Sequence, residues 1–372
     1  MRIVLLMHHF ARCLAALAVC LSPFATPGAA KAGSTLNVAN WTDYIDQKAL
    51  EEFTKETGIK VIYDTYDSNE ILETRLLAGG TGYDIVVPSA TFLQRQIKAG
   101  VFQKLNKALL PNLKGVAPEI SLRLSAYDPG NEFSAPYMWF TTGIAYNTSK
   151  IKDRLGDKAM DTWDVVFKPE IMKKLADCGV YFLDSPEDLL AIAAKYAGLS
   201  PELKDAANVR KAAEVVARVR PYVRKFHSSE YINALANGDI CLAIGWAGDS
   251  FQARTRAREA GAGVDIAYVI PREGTLMSID ALAIPKDAQH VAEAHKFIDF
   301  LLRPEIAARN TQVTNFANPV SASKPLLPDD VANNRSIYPD EATERKLFTV
   351  SAKDADIQKT ITREWSRVKL GR

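Results

Sequence analysis

Apolar positions along this chain switch repeatedly between a spacing of two and a spacing of three to four, and those switches lay out its elements. Residues 36–40 read as a buried strand and 46–57 as a helix that Gly58 stops. Residues 59–65 alternate around Val61 and Tyr63, and 68–78 return to helical spacing before Gly79-Gly80. A short buried strand at 84–87 ends at Pro88, and a helix over 90–99 closes at Gly100. Strand and helix alternating in this way predict an α/β fold with a mostly parallel sheet flanked by helices. The alternation resumes with a strand at 179–183, helices at 186–196 and 229–236, and a strand at 240–244, so two α/β units are expected. Residues 134–147 and 264–270 are apolar and β-forming without helical spacing, and both read as passages crossing between lobes. A chain that crosses twice places its cleft at the crossing, where small changes close one lobe on the other. The lobes divide as 33–138 with 272–325, and 139–271 with 326–372. Near the end, 329–334 reads as a loop and 355–368 as a final helix.

The first 32 residues stand outside this pattern and read as a signal peptide. Arg2 and Arg12 are the only charges ahead of a mostly apolar run over 13–25, and Ala30-Lys31-Ala32 offers small residues for cleavage. The mature start falls near Gly33, with Lys31 as the alternative. The run is shorter than the roughly 20 residues of a membrane span. Val19 ahead of Cys20 argues against lipid attachment, so secretion in soluble form is expected. Losing the leader removes Arg2, Arg12 and Lys31 from 46 basic residues set against 44 acids, so the formal positive charge belongs to the leader. A near-neutral mature surface gives no general argument for nucleic acid or membrane as a partner. Two hydrophobic cores are expected for the roughly 340 residues that remain. Cys178 and Cys241 stay as an even pair in an oxidising compartment, where a disulfide is the favoured state. Only His227, His290 and His295 remain, and no two ligand types fall at zinc spacing, so neither metal nor cofactor is expected.

Candidate chemistry gathers at two places where an aromatic and an acid follow a strand. These are Asn40-Trp41-Thr42-Asp43-Tyr44 and Gly245-Trp246-Ala247-Gly248-Asp249. Ligands of open α/β sheets sit outside the carboxyl ends of the strands. Indole faces with carboxylates there suit a ligand that is cationic and partly aliphatic, such as an organic amine. Each residue also has a plainer reading. Either indole can fill a core. Asp188, in Ser185-Pro186-Glu187-Asp188, fits a capping box. Asp249 can cap the helical stretch 250–259, and Asp43 can favour a first helical turn through the dipole. Ser89 can cap the helix that starts at Ala90, or offer its hydroxyl to an ammonium. Asp280 differs, because it lies within the β-like run 277–284 where Asp is disfavoured, and a carboxylate there is paired or faces a ligand. No Gly-rich phosphate loop, paired-histidine metalloprotease motif or Gly-x-Ser-x-Gly elbow occurs, so no catalytic constellation emerges and an enzyme is not expected.

These residues, in this order, resemble the bacterial periplasmic polyamine-binding proteins, above all the putrescine-binding component of a polyamine uptake transporter. The likeness is most specific at NWTDYI from Asn40, GTGYDIVVPSA from Gly80, PYMWFTTGIAYN from Pro136, FHSSEYINALANGDICLAIGWAGD from Phe226 and FIDFLLRP from Phe297. The resemblance implies a two-lobed type II periplasmic-binding fold in the periplasm, closing on its ligand and delivering it to the permease of an ABC transporter with a separate ATPase. A monomer is expected. It implies that Asp249 and Asp280 bind one ammonium, and that Thr42, Asp43 and Asp188 serve the other end. Trp41, Tyr44 and Trp246 wall the methylenes, Ser89 adds a polar contact, and Cys178 and Cys241 match the family's disulfide. Three positions depart from the family. Ser278 stands where a Phe or Trp is usual, Phe316 where a Tyr is usual, and Asp188 where a Glu is usual. Ser278 removes an aromatic wall, which favours a longer or bulkier amine such as spermidine or agmatine, or weaker hold on putrescine.

Three other functions compete with this one. A binder of anions, sugars or iron on the same fold needs Arg, helix N-termini or clustered Tyr beside the two tryptophans, and these are missing. An enzyme on this fold needs a free thiol. A sensor passing occupancy to a receptor uses the same closure.

Overall fold

Asp46 and Gly58 bracket the first helix as their chemistry dictates. The Asp46 carboxylate accepts from the Lys48 N–H, and Gly58 ends the helix Gln47–Thr57 at φ 72°, where a side chain would be strained. Phe53 on its inner face packs edge-on against Phe297 and Phe300, with ring centroids 4.9 and 5.3 Å away. Ser68 caps the next helix, Asn69–Ala78, and Ser185 with Pro186 starts the helix Pro186–Tyr196. The structure is a computed structural model that describes residues 34–261 and 263–371. The signal peptide expected over 1–32, with Cys13 and Cys20, lies outside the described residues.

Nine strands follow in chain order among the described residues: β1 (Thr35–Trp41), β2 (Lys60–Tyr66), β3 (Ile85–Val86), β4 (Ser134–Asn147), β5 (Val180–Phe182), β6 (Lys225–Phe226), β7 (Leu242–Trp246), β8 (Ile266–Val269) and β9 (Met277–Ala283). Their spatial order is β2-β1-β3-β9-β4-β7-β5-β6, with β8 also paired to β4. β1 runs parallel to β2 and β3, and β5 runs parallel to β6 and β7. Every pairing of β4 and β9 is antiparallel. Each lobe is therefore parallel in its outer strands and antiparallel where the chain passes between lobes.

β4 belongs to both halves. Its residues 134–141 pair with β9, and 142–147 pair with β7 and β8; the partner changes between Thr141, opposite Met277, and Thr142, opposite Trp246. Residues 264–270, expected to cross, instead form the edge strand β8 of the second half, and the crossing follows them on the way into β9. The lobe division puts a third passage at 325–326, and the stretch that runs along the junction lies later in the chain. Leu276 bridges Phe348, and the Tyr127 hydroxyl donates to the Val350 carbonyl at 2.9 Å, so the chain returns along the same junction. It then enters the last helix, Ala355–Leu370, whose Trp365 packs on Phe226 at 5.2 Å and donates to Asp184 at 2.7 Å. Within the expected loop 329–334 there is a short helix, Asp329–Ala332, behind Pro328. Cys178 and Cys241 are joined as a disulfide with Cα atoms 5.5 Å apart, tying the loop before β5 to the entry of β7. No described helix is long and apolar enough to cross a membrane.

Candidate functional site

The strands end their turns at one place. Trp41 closes β1 and Trp246 closes β7, and their rings meet edge-on with centroids 5.9 Å apart. The Trp41 indole N–H donates to the Val87 carbonyl at 2.8 Å, which also takes the Tyr66 hydroxyl at 2.6 Å. Each indole thus has the polar partner that burial demands and leaves its face to a cavity. Trp41, Thr42, Tyr44, Ser89, Trp246, Asp249, Asp280 and Phe316 all line that cavity, together with Tyr66, Asp67, Phe140, Ser228, Ser229 and Ile232. It leaves ≈ 30 Å³ for the centre of a water-sized sphere, roughly two waters by that measure.

Two carboxylates face it from opposite lobes. Asp249 is 6% exposed and Asp280 2% exposed. Asp249 is the third residue of the helix Ala247–Glu259, whose cap position is Trp246, so it is not the cap of that helix. Its carboxylate accepts the Tyr231 hydroxyl at 2.7 Å, and the same hydroxyl accepts the Trp246 N–H at 3.0 Å. Gly245 makes this contact possible, since a β-carbon there would lie 2.5 Å from the Tyr231 ring. Asp280 accepts the Ser89 hydroxyl at 2.6 Å. Ser89 stands at the cap position of the helix Ala90–Lys98 but makes no capping bond; its oxygen takes the Asn69 amide and gives its proton to Asp280. Neither Asp249 nor Asp280 makes an ion pair among the described residues. Burial pushes each carboxyl up to about 7, and neutral hydroxyls offset only part of that cost.

A second cavity adjoins the first, sharing Ser89, Phe140 and Trp246 with it. Asp188 and Ser278 line this one, with Glu187 and Thr91. Asp188 is both a helix-start residue and a cross-strand acceptor. It takes the Ser185 hydroxyl at 2.9 Å, the Thr142 hydroxyl at 2.7 Å and the Trp246 indole N–H at 3.0 Å. Burial raises its pKa. Ser278 therefore does not open the wall of the first cavity; it leaves room in the neighbouring one. Asp43 lines neither cavity. It sits in a turn at φ 56° ahead of the helix, not in a first helical turn, and its carboxylate pairs with Arg256 at 2.6 Å. Phe316 packs edge-on to Tyr44 and Phe140, against Gly248, where a β-carbon would collide with its ring.

Sequence reasoning missed Tyr231, Phe140 and Tyr66. Tyr231 sits in a helix read only as apolar, and Phe140 lies mid-strand in β4, so neither carried a local signal. The pairing of Tyr231 with Gly245 is visible only once β7 and the helix Tyr231–Ala236 are packed.

Residues 48–337 match the family model described as bacterial extracellular solute-binding protein. The chain is 48% identical over 368 residues to the putrescine-binding periplasmic protein SpuD of Pseudomonas aeruginosa, covering 99% of this chain and 100% of the relative. It is 48% identical over 340 residues to the putrescine-binding periplasmic protein PotF of Escherichia coli, covering 91% and 92%. Among solved structures, a Listeria monocytogenes protein named for a spermidine/putrescine ABC transporter superposes with a TM-score of 0.82 at 30% identity, covering 91% of this chain and 100% of that one. The architecture is that of the type II periplasmic-binding fold.

Proposed function

Since this chain belongs to the bacterial extracellular solute-binding protein family, we propose that it captures a polyamine between its lobes and delivers it to the permease of an ABC transporter. It acts in the periplasm, as the relatives named periplasmic do, and it binds without catalysing a reaction. The lobes of this reading are 33–138 with 272–325, and 139–271 with 326–372; the change of β4 partners at Thr141 and Thr142 supports a first boundary close to that one. The carrier works as a monomer.

One observation carries the proposal. Asp249 and Asp280 are buried in an aromatic-walled cavity, each bonded to a hydroxyl and neither paired with a cation among the described residues. A buried carboxylate without a cation is costly, and an alkylammonium removes that cost. One ammonium lies between Asp249 and Asp280. The methylenes lie along Trp41, Tyr44 and Trp246, with Thr42 at the rim and Ser89 holding Asp280. The second ammonium points toward Asp188 around the edge of Trp246. A charge-assisted hydrogen bond is worth about 1.5–3 kcal/mol net, and a micromolar site needs about 8 kcal/mol in all. Two or three such bonds with apolar contact suffice.

Purified protein is screened against diamines, triamines, amino acids and sugars by thermal shift, because a ligand of the native state raises its midpoint by mass action. Amines should raise the midpoint and sugars and amino acids should not. If putrescine, spermidine and agmatine all leave it unmoved, the polyamine reading is wrong.

A further inference from the structure

Three residues line both cavities, and only one of them lacks a polar tether. Trp246 is held by its indole N–H on Asp188 and by its backbone N–H on Tyr231. Ser89 is held between Asn69 and Asp280. Phe140 has no polar tether; its ring rests edge-on against Trp246 at 5.9 Å and Phe316 at 5.1 Å. Its partner across the β4–β9 ladder is Ser278. Paired residues on neighbouring strands project to the same face, so the side chain beside the Phe140 ring is a hydroxymethyl group. A ring or branched chain at 278 would fill the space into which Phe140 can turn.

We propose that Phe140 is a movable partition whose swing over Ser278 joins the two cavities into one groove for a triamine, with Glu187 binding the additional ammonium. This rests on the polyamine reading above and narrows it to a substrate class. Glu187 reaches across from the second lobe and accepts the Thr91 hydroxyl at 2.7 Å. It makes no ion pair among the described residues. Asp188, its neighbour, spends both oxygens on Ser185, Thr142 and Trp246. The nearby cations act on Glu187 through space but bond to other groups, and one nitrogen of Arg95 is left without a partner among the described residues. Arg95 forks onto both oxygens of Glu73, and the Lys353 ammonium donates to the Ser351 carbonyl beside Glu202. The second cavity thus holds two carboxylates and no cation bonded to either, with ≈ 40 Å³ of room by the measure used for the first. A diamine that reaches Asp188 leaves Glu187 behind it with no cation bonded to it, only the distant charges of Arg95 and Lys353. An added aminopropyl arm carries an ammonium to that place, provided Phe140 yields.

Titration calorimetry with putrescine and with spermidine, on the full mature chain and on Ser278→Phe, Ser278→Ala and Glu187→Gln, tests this. The readout is the ratio of spermidine to putrescine affinity. Ser278→Phe blocks the swing and Glu187→Gln removes the charge, and each should lower the ratio roughly tenfold or more. Ser278→Ala keeps the space and should hold the ratio of the unsubstituted protein, which shows that volume and not the hydroxyl matters. An unchanged circular-dichroism spectrum and a cooperative thermal transition report that each variant is folded. If either Ser278→Phe or Glu187→Gln lowers the ratio by less than that, or Ser278→Ala lowers it as much, the partition is wrong while the polyamine reading stands. If the unsubstituted protein binds neither amine, the polyamine reading falls first and takes the partition with it.

Discussion

At the scale of single residues, Asp249 and Asp280 set stability against binding. A carboxyl held up to about 7 in the fold, against about 3.9 in the unfolded chain, binds its proton more tightly when folded. Its contribution favours folding below pH 4, and stability is lost as pH rises from there to about 7. Above pH 7 the full cost is present while the lobes are closed, on the order of a few kcal/mol for each group, and opening relieves part of it. Asp249→Asn and Asp280→Asn remove that cost. Each variant should therefore unfold at a higher temperature than the ligand-free parent at pH 8 and should lose this advantage at pH 4. Each should also bind amine roughly ten- to hundredfold more weakly, for want of a charge-assisted bond. Calorimetric scans at the two pH values and an amine titration check both halves; a variant less stable than the parent at pH 8 refutes the tension. In the sequence, Asp280 was legible because a carboxylate inside a strand has few innocent explanations. Asp249 was harder, since an acid ahead of a helical stretch looks like a cap. The helix starts three residues earlier than its apolar spacing shows, and that shift takes Asp249 from the cap position to the cavity.

At the scale of elements, the sequence was readable where local chemistry decides and silent where distant pairing does. The helices Gln47–Thr57, Asn69–Ala78 and Pro186–Tyr196 begin and end at the residues that cap them, and β4 spans the whole extended stretch that was read from composition. β8 was misread as a crossing because edge strand and passage look alike until a partner is known, and β4 is that partner. The return along 346–353 was placed too early, at 325–326, since its order comes from Leu276, Tyr127 and Thr275 elsewhere in the chain. The Cys178–Cys241 bond acts at this scale as well. It closes a loop of 63 residues that contains β5, β6 and the helices around them. Loop-closure entropy puts its contribution at about 4 kcal/mol, less any strain. The double variant Cys178→Ala, Cys241→Ala should lower unfolding stability by about 2–4 kcal/mol in urea. It should leave amine affinity within a few-fold, because the bond lies at the far end of β7 from Trp246. A large loss of affinity at unchanged stability would show that the disulfide shapes the site itself.

At the scale of the whole molecule, closure is a balance between cross-cleft contacts and the carboxylates they bury. Asp43 with Arg256 at 2.6 Å, Thr91 with Glu187 at 2.7 Å and the two indoles at 5.9 Å join the lobes. The ion pair is weak by itself, since its side chains are 43% and 35% exposed and such pairs contribute at most about 1 kcal/mol. Against these contacts stands the cost of closing on Asp249 and Asp280 while both are ionised. At pH 8 that cost favours the open arrangement until an ammonium offsets it, so amine should compact the protein. At pH 5.5 both carboxyls, at about 7 when closed, are mostly protonated in the closed form, and closing needs no cation. The amine must then displace those protons to be held, so its affinity should fall as pH drops below 7, by up to about tenfold per pH unit for each carboxylate. Small-angle scattering with and without putrescine gives the test. The radius of gyration should shrink on adding amine at pH 8, and at pH 5.5 it should start smaller and respond less. A ligand-free protein equally extended at both pH values, with an amine response that does not change, would mean that the two carboxylates do not govern closure.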